Sequence, residues 1–174
     1  FWEDIDSNAL NIEILHALGR EWDTLAPLPA AELARTELDA FRPRAVEILR
    51  ERLRDSLLFG LKDPRMSLLL PFWKQAFGHL GLDVSYVICS RHPFSVAKSL
   101  QTRDGMDREK SFYLWLDHMT SAMLETVGAR RIVASYDLLM GDPRKQLQRL
   151  ATHLQLHFDA GSGEFHEFAH EFLS

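Results

Sequence analysis

Arg91 and Ser99 stand eight residues apart, the arginine directly after the apolar run Val84 to Cys89 and the serine beyond Pro93. If the run is a strand and Pro93 opens a helix, Arg91 projects into the strand-to-helix turn and Ser99 lies two turns along, with Ser95 one turn below it on the same face. Guanidinium, hydroxyl and the positive end of a helix dipole together suit a phosphate or another oxyanion. The same spacing also suits an Arg91 paired with a structural carboxylate and a Ser99 packed against its helix. The residues alone leave both readings standing.

Lys62 precedes an Asp-Pro pair, Asp63-Pro64, that can cap a following turn and hold the ammonium near a sheet edge. A lysine there can neutralise a leaving phosphate, or simply be solvated. Arg65 reads as structural, paired with a carboxylate or with backbone carbonyls. In the opening run Phe1 to Asp6, Glu3 beside Trp2 is a candidate general base, if a partly apolar setting raises its pKa; helix capping explains Asp4 or Asp6. His166-Glu167-Phe168-Ala169-His170 fits H-E-x-x-H, which on a helix offers two imidazoles to zinc with Glu167 as base. Phe165, Phe168 and Phe172 around it equally suit an amphipathic docking face. No metal is expected. The remaining histidines, His118 among them, show no ligand or triad spacing and read as solvated or capping. Cys89, the only cysteine, lies in an apolar run and reads as a buried structural thiol.

The elements that must position these residues follow from continuous and helical apolar patterns. Leu57 to Leu61, Val84 to Cys89 and Arg131 to Tyr136 read as strands covered on both faces. Ser7 and Asn8 can cap a helix ending at Gly19, with Leu10, Ile14, Leu15 and Leu18 as its stripe. Further helices are predicted from near Pro29 with a break at Pro43, from Pro71 to Gly78 or Gly81, from Pro93, over about Asp107 to Val127, and from Asp142-Pro143 to Leu154. Strands alternating with helices predict a three-layer α/β domain, a parallel sheet flanked by helices. Ligands of such sheets bind beyond the carboxyl ends of the strands, where Lys62, Arg91 and Tyr136 fall.

The 174 residues suit one domain, and a formal net charge of −5 argues against a general nucleic-acid binder, so any anion site must be local. No apolar stretch reaches the roughly 20 residues of a membrane span. A cytoplasmic location is the expectation, subject to what precedes Phe1.

Four segments, FWEDIDSNALN, LKDPRMSLLLPFW, VICSRHPFSVAKSLQTRDGM and ASYDLLMGDPRKQLQRLATHLQL, resemble the sulfotransferases that use 3′-phosphoadenosine-5′-phosphosulfate, in particular bacterial members and the tyrosylprotein sulfotransferases. They cover most of Phe1 to Leu156. The Arg91, Pro93, Ser99 pattern resembles that family's 3′-phosphate site. The resemblance implies a P-loop NTPase-like sulfotransferase fold and in-line transfer of a sulfuryl group to a hydroxyl of a carbohydrate or other small-molecule acceptor, without metal or covalent intermediate. It implies that Lys62 stabilises the leaving phosphate, that Glu3 is the base and that Tyr136 lies near the cosubstrate. One departure is that the family's 5′-phosphosulfate loop, a Gly, Arg, Ser, Gly, Thr type of turn after a strand, is not in these residues. It is expected upstream of Phe1, so the single domain over 1–174 is expected to lack its first strand, that loop and part of its C-terminal region. A non-catalytic nucleotide-binding module and a zinc hydrolase using His166, Glu167 and His170 are the alternatives.

Overall fold

The computed structural model describes residues 3–34 and 36–169. In chain order these form α1 (Ile5–Ala17), α2 (Ala30–Leu33), a 3-10 turn (Thr36–Phe41), α3 (Arg42–Leu53), α4 (Met66–His79), β1 (Tyr86–Ser90), α5 (Pro93–Asp104), α6 (Arg108–Glu125), β2 (Arg131–Ser135), α7 (Tyr136–Gly141), α8 (Pro143–Leu154) and α9 (Gly163–Glu167). The chain is mixed α/β, mainly helical, with one two-stranded parallel sheet among the described residues. Its packing divides into two units, Phe1–Val84 with Glu109–Val127, and Ser85–Arg108 with Gly128–Ser174.

In the first unit Asp4, rather than Ser7 or Asn8, caps α1: its Oδ1 accepts the Ser7 N–H at 2.9 Å, satisfying a donor that the first turn leaves orphaned. Leu10, Ile14 and Leu15 then face Ala45, Ile48 and Leu49 of α3 and Leu69, Phe72 and Trp73 of α4 in one buried cluster. Each such side chain contributes about 1.5–3 kcal/mol on burial. α4 opens five residues before Pro71, which lies inside it. The reason is local: the Asp63 carboxylate accepts the Arg65 N–H at 2.8 Å and the Asp63 carbonyl accepts the Met66 N–H at 3.0 Å, so the turn is closed before the proline is reached.

The strand predicted over Leu57 to Leu61 does not form. Leu58 donates its N–H to the Ser56 hydroxyl, which in turn donates to the Leu58 carbonyl. No strand pairs with this segment among the described residues, and Leu57 and Leu58 are exposed. A strand requires a partner for its backbone groups; here a serine turn takes that role.

In the second unit β1 and β2 pair in parallel, Tyr86 opposite Arg131 through Ser90 opposite Ser135, close to the predicted spans. Ile88 and Ile132 are buried, but Val87 and Val133 are each 42% exposed and Cys89 is exposed, so the expectation of full cover on both faces and of a buried thiol is corrected. With only two strands, the flanking helices cover each face in part. α8 begins as predicted, Asp142 accepting the Lys145 N–H at 3.0 Å with Pro143 in the first turn. Further along it Arg149 donates to the Val133 carbonyl at 2.6 Å, covering an outward-facing group of β2. α5 starts at Pro93 and closes on Gly105, whose φ of 65° is the left-handed conformation that favours glycine.

Among the described residues no helix is long and apolar enough to cross a membrane.

Candidate functional site

Register in the parallel pair decides what emerges from its carboxyl end. Ser90 lies opposite Ser135, so the next residues, Arg91 and Tyr136, leave the sheet as neighbours, and the Arg91 guanidinium carbon sits 4.6 Å from the centre of the Tyr136 ring. A cation over an aromatic face is held there without losing its charge. Ser135 accepts the Leu138 N–H at 3.4 Å and so turns the chain into α7, which brings Asp137 to the adjacent turn. Asp137 Oδ2 accepts the His92 N–H at 3.2 Å. That amide, one of those expected to face an anion, is therefore engaged by a carboxylate. α5 begins at Pro93 with no side-chain cap. Ser99 is exposed on α5 and Ser95 is half-buried one turn below it. At 1.5 Å of rise per residue Ser99 stands roughly 9 Å up the helix from Pro93.

Next to this turn His92 and Phe94 stack at 5.4 Å, and the Arg108 guanidinium lies 5.1 Å from the Phe94 ring centre. The exposed Phe94 thus has partners of its own.

The first unit brings together the two residues predicted to do the chemistry. Lys62 Nζ donates to Glu3 Oε1 at 2.6 Å, and Asn8 Nδ2 donates to Glu3 Oε2 at 2.8 Å. The lysine side chain is 62% exposed and the glutamate 20%. Burial alone pushes the Glu3 carboxyl up, but Lys62, with help from Arg65 and Asn8, overrides it and holds the group below its ordinary value. The expectation of a raised pKa is corrected for this state: the neighbouring cations outweigh the apolar setting. Trp2, the neighbour on which that expectation leaned, lies outside the described residues. An ion pair with so exposed a cation is worth about 0.2–1 kcal/mol.

Beneath it runs a buried polar chain that the sequence reading missed. Trp73 Nε1 donates to Asn11 Oδ1 at 2.7 Å, Asn11 Nδ2 donates to Asp63 Oδ2 at 3.0 Å, and Arg65 Nη1 donates to Asp63 Oδ1 at 3.0 Å. Asn11 and Trp73 are fully buried and Asp63 nearly so. Arg65 is thus paired with a carboxylate, one of the two structural partners expected for it, and the turn carrying Lys62 is tied to the helical core through Asp63. The signal that points to it is Asn11, a polar residue at helical spacing from Ile14 and Leu15 on the buried face of α1.

His118 was also missed. It is half-buried, with Nδ1 2.8 Å from Ser67 Oγ and 3.1 Å from the Pro64 carbonyl, to which Ser67 itself donates at 2.8 Å. With the hydroxyl proton already on Pro64, Nδ1–H is the donor in the shared contact, and the pair is a clamp on the turn rather than a base and nucleophile. Burial pushes the imidazole below its ordinary value, against the raising influence of the Pro64 and Trp22 carbonyls and of Asp117 and Asp63.

Of the H-E-x-x-H motif, His166 and Glu167 lie in and at the end of the short α9, and His170 lies outside the described residues. No group of three metal-ligating side chains occurs among the described residues. Comparison with protein-family models, with curated proteins and with solved structures finds no match for the chain.

Proposed function

We propose that the protein transfers a sulfuryl group from 3′-phosphoadenosine-5′-phosphosulfate to a hydroxyl of a carbohydrate or other small-molecule acceptor. The observation that carries this reading is Arg91 beside Tyr136, immediately past the carboxyl ends of two parallel strands and at the start of α5. Parallel α/β sheets bind ligands at that end, and a guanidinium held on an aromatic face is a preorganised partner for a phosphate. The resemblance of four sequence segments to sulfotransferases supplies the identity of the anion. On this reading the fold is the three-layer, P-loop NTPase-like sulfotransferase architecture and the chain works as one domain of that kind.

Each residue then has one task. Arg91 and Ser99 bind the 3′-phosphate, with Tyr136 beside the arginine. Lys62 stabilises the leaving phosphate and Glu3 accepts the proton. As the acceptor oxygen bonds to sulfur, the bond from sulfur to the 5′-phosphate oxygen breaks and its electron pair leaves on adenosine 3′,5′-bisphosphate. The acceptor's proton passes to the Glu3 carboxylate. Positioning and charge neutralisation supply the rate, as in phosphoryl transfer.

A non-catalytic nucleotide-binding module is the competing reading. The engagement of Lys62 by Glu3, and the low proton affinity that this gives Glu3, favour it. Incubation with cosubstrate labelled in the sulfuryl group and a panel of sugar and phenol acceptors separates the two. Labelled product formed in step with adenosine 3′,5′-bisphosphate supports transfer; bisphosphate binding without turnover supports the module.

A further inference from the structure

α8 has two unlike faces. Ala151 is buried on one, whereas Lys145, Gln148, Arg149, Thr152 and His153, at helical steps of three and four, are exposed on the other. These five side chains and the buried Ile132 of β2 line an open cavity of about 500 Å³, a size that suits a small ligand. A merely solvated helix face mixes both signs, with acids and bases pairing at i, i+4. Here the nearest acids in sequence are Asp142 and Asp159, and neither lines the cavity. The side chains of Lys145 and His153 pair with no carboxylate among the described residues. Arg149 is fixed by neutral groups instead: Nη2 donates to the Val133 carbonyl at 2.6 Å and Nε to Gln146 Oε1 at 3.1 Å, which leaves Nη1 for a ligand. Lys145, Arg149 and His153 follow one another at four-residue steps, so the row of basic side chains is roughly 12 Å long.

We propose that this face of α8 binds a chain of phosphates, with Lys145, Arg149 and His153 each holding one stretch of it. Two features select that class. The ligand must accept hydrogen bonds along its length, because the lining offers ammonium, guanidinium, amide and imidazole donors and no carboxylate to receive the hydroxyl protons of a sugar. It needs no base, since no Phe, Tyr or Trp lines the cavity for a nucleobase to stack on. A linear inorganic polyphosphate meets both conditions, whereas a nucleotide meets the first through its phosphates alone. The site is separate from Arg91, which leaves the sheet at its carboxyl end, and it gives the basic residues of α8 a role that sulfuryl transfer does not use.

Calorimetric titration of sodium tripolyphosphate into the whole protein, into Lys145→Gln and into the double variant Lys145→Gln, His153→Gln tests the site. Neither side chain makes a hydrogen bond among the described residues, so both variants are expected to fold as wild type, with unchanged circular dichroism. Wild type is expected to bind, less tightly as salt rises, and Lys145→Gln to weaken binding about three- to tenfold, the scale of one exposed charge-assisted contact. The double variant is expected to lose more. Adenosine triphosphate is expected to bind no more tightly than tripolyphosphate; tighter binding that the same variants lose supports the phosphate-chain site and makes a nucleotide its source. A sulfated oligosaccharide that binds more tightly than tripolyphosphate overturns the ligand class. Absence of tripolyphosphate binding, or equal binding by wild type and the double variant, overturns the site and leaves the Arg91 reading untouched.

Discussion

On the proposed function Lys62 gains value as charge develops on the leaving phosphate, which distinguishes a transfer residue from one that merely binds. Lys62→Ala is therefore expected to lower kcat by about 10- to 100-fold while KM changes less than about threefold, measured by initial rates at varied cosubstrate. An equal loss in both makes it a binding residue only. The pairing of Lys62 with Glu3 was not legible in the sequence, because 59 positions separate them and nothing local announces the contact. What the sequence did show was that both are chemically apt. The Arg91 reading fared differently. Its position at the end of a strand was legible from the apolar run and Pro93, but the aromatic partner Tyr136 and the capture of the His92 amide by Asp137 depend on the register of two distant strands.

At the scale of elements, α1 holds both the ion pair and the buried chain beneath it, through Asn8 and Asn11. Asn11→Leu removes one donor and one acceptor from a buried site, stranding the Trp73 N–H and leaving Asp63 Oδ2 only the longer bond from Arg65 Nη1 at 3.2 Å. A loss of about 2–4 kcal/mol is expected in urea unfolding followed by tryptophan fluorescence. Asp142→Ala, which removes only a helix cap on α8, is expected to cost about 1 kcal/mol by circular dichroism. These two cases also show what local sequence reveals. The start of α8 at Asp142-Pro143 and of α5 at Pro93 were read correctly, since capping and proline effects act within one turn. Leu57 to Leu61 was misread, because apolar composition suits a strand but a strand exists only beside another. The start of α4 was misplaced because the Asp63 turn closes it ahead of the more conspicuous Pro71.

For the whole molecule, charge is unevenly divided. The first unit carries eleven Lys and Arg against seventeen Asp and Glu, the second nine against eight. The acidic excess thus lies in the first unit, and the unit bearing Arg91 is close to neutral, which suits a local anion site in an acidic chain. Part of the pH dependence of stability belongs to the first unit. There Glu3, Asp4 and His118 are all held below their ordinary values: burial raises the two carboxyls, but ion pairs with Lys62 and Arg52 override it, and burial itself lowers the imidazole. Each group binds more protons unfolded than folded within its window, so stability is full above the unfolded pKa and is lost as pH falls through the folded one. His118 acts first, below about pH 6.5, and the carboxyls below about pH 4.5. The described tryptophans, Trp22, Trp73 and Trp115, lie in that unit, so their fluorescence reports it. The urea midpoint is expected to fall between pH 7.5 and 5.5, and His118→Asn to flatten that part of the curve; an equal slope in the variant contradicts the assignment.

The most direct test of the central claim is calorimetric titration of adenosine 3′,5′-bisphosphate into the wild-type protein and Arg91→Ala. A charge-assisted contact to phosphate is worth about 1.5–3 kcal/mol, so the account predicts binding that weakens about 10- to 150-fold in the variant. No binding to the wild type, or equal affinity in both proteins, contradicts it.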